Sequence, residues 1–79
     1  MQKALVLINT ELGCEGKVLK GLKRIEGVEE AYATYGVYDI ILKVGAESTD
    51  KLKEVITQRI RRLDKVRSTL TMIITEEAK

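Results

Sequence analysis

Three stretches of this chain carry side chains that could do chemistry. The first, Gly13-Cys14-Glu15-Gly16-Lys17, has the glycines and lysine of a phosphate loop. A phosphate loop needs Gly, four residues, then Gly-Lys followed by a hydroxyl residue. Here Glu11 stands in the first Gly position and Val18 in the hydroxyl position, so the pattern fails at both ends. A Gly-x-x-Gly nucleic-acid loop fails as well, because Glu15 would repel phosphate. What remains is a turn that uses permissive backbone. Cys14 is the single thiol; it cannot form an intrachain disulfide, nor the paired-thiol site of a copper or mercury carrier. It reads as a small packing residue.

The second stretch is Arg59-Ile60-Arg61-Arg62-Leu63-Asp64-Lys65-Val66-Arg67, with five basic residues against one acid. Cations complement the C-terminal end of a helix, and Ile60, Leu63 and Val66 turn the intervening positions inward. The segment therefore reads as a solvated face rather than a phosphate-contacting patch. The third stretch, Thr34-Tyr35-Gly36-Val37-Tyr38-Asp39, is the most informative. An aspartate inside an otherwise apolar strand, as Asp39 is here, is costly unless something pairs with it. Two readings stay open. In one, Asp39 finds a Lys, Arg or Thr partner within an ordinary hairpin. In the other, backbone N–H groups around Gly36 meet a carboxylate, while Asp39 or threonine hydroxyls meet an ammonium. Those are the needs of a free amino acid.

The composition narrows the chemistry further. The chain has 79 residues, no His, Trp, Phe or Pro, and one Cys. Without His, the commonest general acid/base and metal ligand are missing. Ser-His and Cys-His nucleophile pairs cannot form within one chain. No metal or cofactor is expected, and binding rather than catalysis is. The net charge of +2 is far from the balance of a dedicated nucleic-acid binder. Charged residues make up 33% of the chain, a bias that resembles heat-adapted proteins. No apolar run is long enough for a signal peptide or a membrane span, so a cytoplasmic location is expected, with no membrane partner.

Two periodicities alternate along the chain and place these stretches. Residues 4–8 form an apolar run that predicts a strand buried on both faces. Val18, Leu22 and Ile25, with Leu19 alongside, predict an amphipathic helix; Gly27 stands where a left-handed C-terminal cap belongs. Strands are predicted over 28–35 and 37–44, joined at Tyr35-Gly36-Val37 in an antiparallel hairpin. Ser48 or Thr49 can cap a second helix carrying Leu52, Val55, Ile56, Ile60 and Leu63. A last strand spans Val66–Thr75, and 76–79 read as a frayed tail.

The order β-α-β-β-α-β is that of a ferredoxin-like α+β sandwich, two helices on one face of a four-stranded antiparallel sheet. The whole chain, 1–79, reads as one domain. Strand parity assigns Leu70, Met72 and Ile74 to the helix side. It leaves Val6, Ile8, Ile41 and Ile73 on the uncovered face. An apolar patch of that kind marks an interface, and a dimer packed sheet to sheet is expected.

On these residues the chain resembles a known family. Tyr-Gly-Val-Tyr-Asp-Ile-Ile-Leu-Lys-Val (35–44) resembles the Gly-x-Tyr-Asp hairpin of the Lrp/AsnC effector (RAM) domain. Val66–Ile74 resembles that family's Thr-rich last strand, and the opening Ala-Leu-Val-Leu-Ile, the Ile-Glu-Gly-Val turn and the element order agree. The resemblance implies a homo-oligomer: dimers formed through the sheets, assembled into octamers or decamers. It implies an amino-acid effector bound between dimers by Tyr35, Gly36, Val37, Tyr38 and Asp39, with Thr69 and Thr71 supplied by a neighbouring chain. It also implies full-length Lrp/AsnC regulators as partners in transcription regulation. Such regulators carry an N-terminal helix-turn-helix; here the first strand begins almost at Met1, so a stand-alone effector domain without direct DNA recognition is expected. The competing readings are a small enzyme or accessory subunit on this fold, or a direct nucleic-acid binder through the basic segment 59–67. An acylphosphatase-like site would need an Arg between residues 9 and 16, where there is none. RNA stacking would need aromatics that the third strand lacks.

Overall fold

A computed structural model describes residues 1–78. It contains β1 (Gln2–Thr10), α1 (Glu15–Lys23), β2 (Val28–Ala33), β3 (Ile40–Ala46), α2 (Thr49–Glu54) and β4 (Val66–Ile74). The strands form one antiparallel sheet in the order β2-β3-β1-β4. The β-α-β-β-α-β sandwich expected from periodicity is the observed fold. Lys79, in the segment read as a tail, lies outside the described residues.

The core sits between one sheet face and the two helices. Ala4, Val6 and Ile8 of β1 and Ile40, Leu42 and Val44 of β3 are buried beneath Val18, Leu22 and Ile25 and beneath Leu52, Ile56 and Ile60. Ser48 caps α2, its hydroxyl accepting from the Lys51 N–H at 3.2 Å. Ser48→Ala should lower stability by about 1 kcal/mol, measured as a shift in the chemical denaturation midpoint.

After Glu54 the helix widens into a π-helical segment, Val55–Ile60, in which Arg61 N–H reaches back to Ile56 C=O at 2.9 Å. At 3.6 residues per turn, an i, i+4, i+8 series drifts by about 40° at each step. The wider turn removes part of that drift and keeps Leu52, Ile56 and Ile60 against the sheet. Beyond α1, which ends at Lys23, Gly27 adopts φ +102 in the turn into β2, and its C=O accepts from Gly45 N–H at 2.8 Å.

Strand parity differs from the expectation in β1 and β4. Val6 and Ile8 point into the core; Leu5 and Leu7 face the open side. In β4, Leu70 pairs with Leu7 and Met72 with Leu5, which puts Leu70, Met72 and Ile74 on the open side. Thr69, Thr71 and Ile73 lie opposite Ile8, Val6 and Ala4, on the helix side. The cause is position. β4 is an edge strand, and its helix side is left uncovered enough for Thr71 and Ile73 to be exposed, so threonine hydroxyls there keep their water. Ile41 stays on the open face as expected, opposite Leu7.

The open face thus carries Leu5, Leu7, Tyr32, Ile41, Leu70, Met72 and Ile74. The Tyr32 hydroxyl donates to Glu30 Oε1 at 2.6 Å. That bond, and the charge of Glu30, hold the phenol above its ordinary pKa. Lys43, in the middle of β3 between Leu5 and Glu30, lies on this face too and pairs with Glu77 at 3.7 Å.

Candidate functional site

The β2–β3 connection is longer than the expected hairpin. β2 stops at Ala33 and β3 starts at Ile40, so residues 34–39 form a six-residue loop rather than strand ends around Gly36. Hydrogen bonds explain the length. Thr34 N–H donates to Asp39 C=O at 2.8 Å, and the Thr34 hydroxyl donates to Tyr38 C=O at 2.7 Å, closing the loop across its base. Asp39 N–H then donates to Ile8 C=O at 2.9 Å, which fixes the aspartate beside the end of β1.

Asp39 therefore sits at a loop base and not inside a strand. Its Oδ2 accepts from Thr10 N–H at 2.9 Å, and the Thr10 hydroxyl lies 3.4 Å from the same oxygen. This is the threonine partner that one of the two sequence readings required. It commits one carboxylate oxygen; Oδ1 accepts no hydrogen bond among the described residues. The ladder irregularity between Asn9 and Thr10 falls beside this bond: Asn9 pairs with Ser68 and Thr10 with Val66, which leaves Arg67 as the extra residue on β4.

Around this carboxylate lies a cleft of about 310 Å³ lined by Asn9, Thr10, Asp39, Arg67 and Ser68. Asn9 Nδ2 donates to Ser68 Oγ at 3.5 Å, joining the end of β1 to the start of β4. Arg67 also lines an adjoining cleft with Glu11, Leu12 and Val66. The arrangement offers an anion with a free lone pair, a guanidinium that can hold a carboxylate in two parallel hydrogen bonds, and short polar groups between them. Among the described residues, no group of His, Cys, Asp or Glu could hold a metal ion.

The residues singled out in the sequence fall in three places. Asp39 lines the cleft. Tyr35, Gly36 and Val37 stand on the loop, Tyr35 and Val37 almost fully exposed, and Tyr38 is half-buried beside Asp39. Thr69 and Thr71 lie on the helix side of β4 and do not line the cleft. Asn9, Thr10, Arg67 and Ser68 were missed. They lie far from Asp39 in sequence, and only the pairing of β1 with both β3 and β4 brings them together. Arg67 did stand out as charged, within a run attributed to helix termination.

Gly36 makes no close approach within its own chain. A methyl group there would meet nothing within 4 Å, and its φ is not in the left-handed region. Gly36→Ala is accordingly expected to leave the melting temperature within about 2 °C of the parent, a change of under ~0.5 kcal/mol. Any loss of assembly or ligand binding in that variant would come from a neighbour pressed against the loop.

Comparisons with known proteins bear on the family and the fold. The family model described as Lrp/AsnC ligand binding domain matches residues 3–79. Regulatory protein AsnC of Escherichia coli (strain K12) is 39% identical over 56 residues, covering 71% of this chain and 37% of that protein. Homocitrate synthase of Saccharolobus islandicus is 40% identical over 57 residues, covering 72% of this chain and 12% of the enzyme. The crystal structure of hypothetical protein PHS023 from Pyrococcus horikoshii superposes with a TM-score of 0.89 at 38% identity, covering 98% of this chain and 93% of that one. The chain thus spans about 37% of the length of the curated AsnC relative, a regulator, and nearly all of a solved chain of its own size. Fold, loop and family model converge: the chain belongs to the Lrp/AsnC ligand binding domain family.

Proposed function

We propose that the chain is a non-catalytic, cytoplasmic effector sensor of transcription-regulator type that binds a free amino acid at the end of its sheet. The observation that carries this reading is the presence of opposite charges on the lining of one cleft, Asp39 with an oxygen that accepts no hydrogen bond among the described residues, and Arg67. An α-amino acid is a zwitterion: its ammonium suits Asp39 Oδ1, and its carboxylate suits Arg67 together with the backbone N–H groups of the Tyr35–Tyr38 loop. The cleft is open to solvent on a single chain. A neighbouring copy would close it, bringing Thr69 and Thr71 toward the effector. Assembly and binding are then linked: an effector that binds the closed arrangement better shifts the population toward it.

Two copies pack through their open sheet faces, which carry the exposed Tyr32, Leu70 and Met72 around half-buried Leu5, Leu7 and Ile41. Dimers then assemble into octamers or decamers, and mixed assemblies with full-length Lrp/AsnC regulators convey the signal. Calorimetric titration with the twenty amino acids tests the reading. At least one should bind saturably with one site per chain or per pair of chains. Absence of binding by all of them, in an oligomer confirmed by light scattering, would refute it.

The similarity to a segment of homocitrate synthase supports a second reading, in which the regulated partner is a biosynthetic enzyme rather than a DNA-binding regulator. An enzyme activity that responds to the amino acid only when this chain is present would favour that reading. Unchanged activity would favour the first.

A further inference from the structure

Charge is unevenly divided between the layers of this molecule. Segments 15–26 and 49–65, the helices with their ends, hold ten basic and five acidic residues; the rest of the chain holds four and seven. Both helices cover the same sheet face, and the turn after the second packs on the first: a methyl on Gly21, in the last turn of α1, would stand 3.1 Å from the Leu63 side chain. That contact sets the turn carrying Arg61 and Arg62 beside the C-terminal half of α1, where Lys20 and Arg24 flank Gly21.

Among the described residues none of these cations pairs with a carboxylate: the ion pairs there are Lys3 with Glu29 and Lys43 with Glu77, both outside the helices. Helix-end electrostatics explain Lys20, Lys23 and Arg59, but not Lys17, which lies in the first turn of α1 where the dipole disfavours a cation. Lys20 and Arg24 are like charges at i, i+4, which costs stability. The exposed large apolar side chains all lie elsewhere, on the sheet and the loops. A protein partner would need an apolar centre to its interface, and lysine is depleted from such interfaces. A spread array of free cations without apolar residues suits a repeating anion.

We infer that the outer face of the helices, with Lys17, Lys20, Arg24, Arg59, Arg61 and Arg62, is a docking surface for the phosphate backbone of duplex DNA, without sequence preference. This surface is opposite the apolar sheet face, so sheet-to-sheet pairing leaves it free and doubles it. The proposal is independent of amino-acid binding.

The test is fluorescence anisotropy of the full chain with two 30-base-pair duplexes of unrelated sequence, at several salt concentrations. Both duplexes should bind alike, and log K should fall linearly with log salt, with a slope of about −5 for six cations per chain. Arg59→Gln, Arg61→Gln and Arg62→Gln together should flatten that slope by about 2.7 per chain and weaken binding at 50 mM salt at least ~10-fold. Lys3→Gln, on the other layer, should change neither by more than experimental error, and circular dichroism should show every variant folded. No binding at 50 mM salt, an unchanged slope in the folded triple variant, or a strong preference for one duplex would overturn the proposal. So would equal competition by phosphatidylserine vesicles at matched charge, which would assign the face to a membrane surface.

Discussion

If the chain pairs through its open sheet face as proposed, Leu70→Glu is expected to turn that dimer into a monomer without unfolding the chain. Leu70 lies on the open face directly opposite Leu7, beside Met72 and Ile74 of the same strand and next to the row of Leu5 and Leu7. It is 46% exposed in the single chain, so a glutamate there keeps its water and the buried core is untouched. In the proposed pair the same position is covered, and an unpaired carboxylate in an apolar contact costs several kcal/mol or forces the proton back on. A dyad relating the two copies also brings both glutamates into one interface. The expected result is at least ~100-fold weaker self-association, from a cost of ~3 kcal/mol or more, read by sedimentation equilibrium with circular dichroism unchanged. The domain itself should melt at a lower temperature once unpaired, because a chain of this length buries only about 60% of its unfolded surface. A dimer of undiminished affinity in this variant would place the contact elsewhere.

Asp39→Ala is expected to act twice, and Asp39→Asn to separate the two effects. The carboxylate is the acceptor for Thr10 N–H at 2.9 Å in a partly buried setting. Removing it leaves that donor unsatisfied, at about 1–3 kcal/mol, or a melting temperature lower by roughly 5–15 °C for a domain of this size. It also removes the partner of an effector ammonium, which corresponds to about 1.5–3 kcal/mol, or ~10- to 100-fold in affinity. Asparagine keeps an acceptor for Thr10 and loses only the charge. Asp39→Asn should therefore melt close to the parent while binding the effector as poorly as the alanine variant. Thermal melts paired with calorimetric titrations read both quantities. Equal binding by parent and Asp39→Asn would assign this aspartate to the loop base alone.

The element order was legible in the sequence because each element carries its own period: Val18, Leu22 and Ile25 on one helix, Leu52, Ile56 and Ile60 on the other, and short apolar runs between. What faced which way was harder to read. The run Ala4-Leu5-Val6-Leu7-Ile8 is apolar at every position, so nothing local says which parity meets the helices. In β4 the alternation of threonine with Leu, Met and Ile was clear, but its sense depends on β4 being the edge strand beside β1, with its apolar row on the open face. The π-helical turn at Val55–Ile60 also left no mark, since i, i+4, i+8 spacing suits an α-helix nearly as well.

The site was half legible. An aspartate read as lying inside an apolar strand stood out, though it proved to sit just before that strand, and Gly36 stood out with it. The partners that complete the cleft did not, because Thr10 and Asn9 end one strand and Arg67 and Ser68 begin another. Their meeting follows from strand order rather than from any local pattern. The same order explains why the loop runs to six residues: Asp39 must leave the hairpin early enough to pair with Ile8 and Thr10 at the end of β1.

Backbone amide shift mapping of the isotope-labelled chain, titrated with the amino acid that binds most tightly, tests the sensing role most directly. The largest changes should fall on Asn9, Thr10, residues 36–39, Arg67 and Ser68, saturating with the calorimetric affinity and vanishing in Asp39→Asn. Changes confined to the outer helical faces, or none at saturating concentrations of every amino acid, would contradict the account.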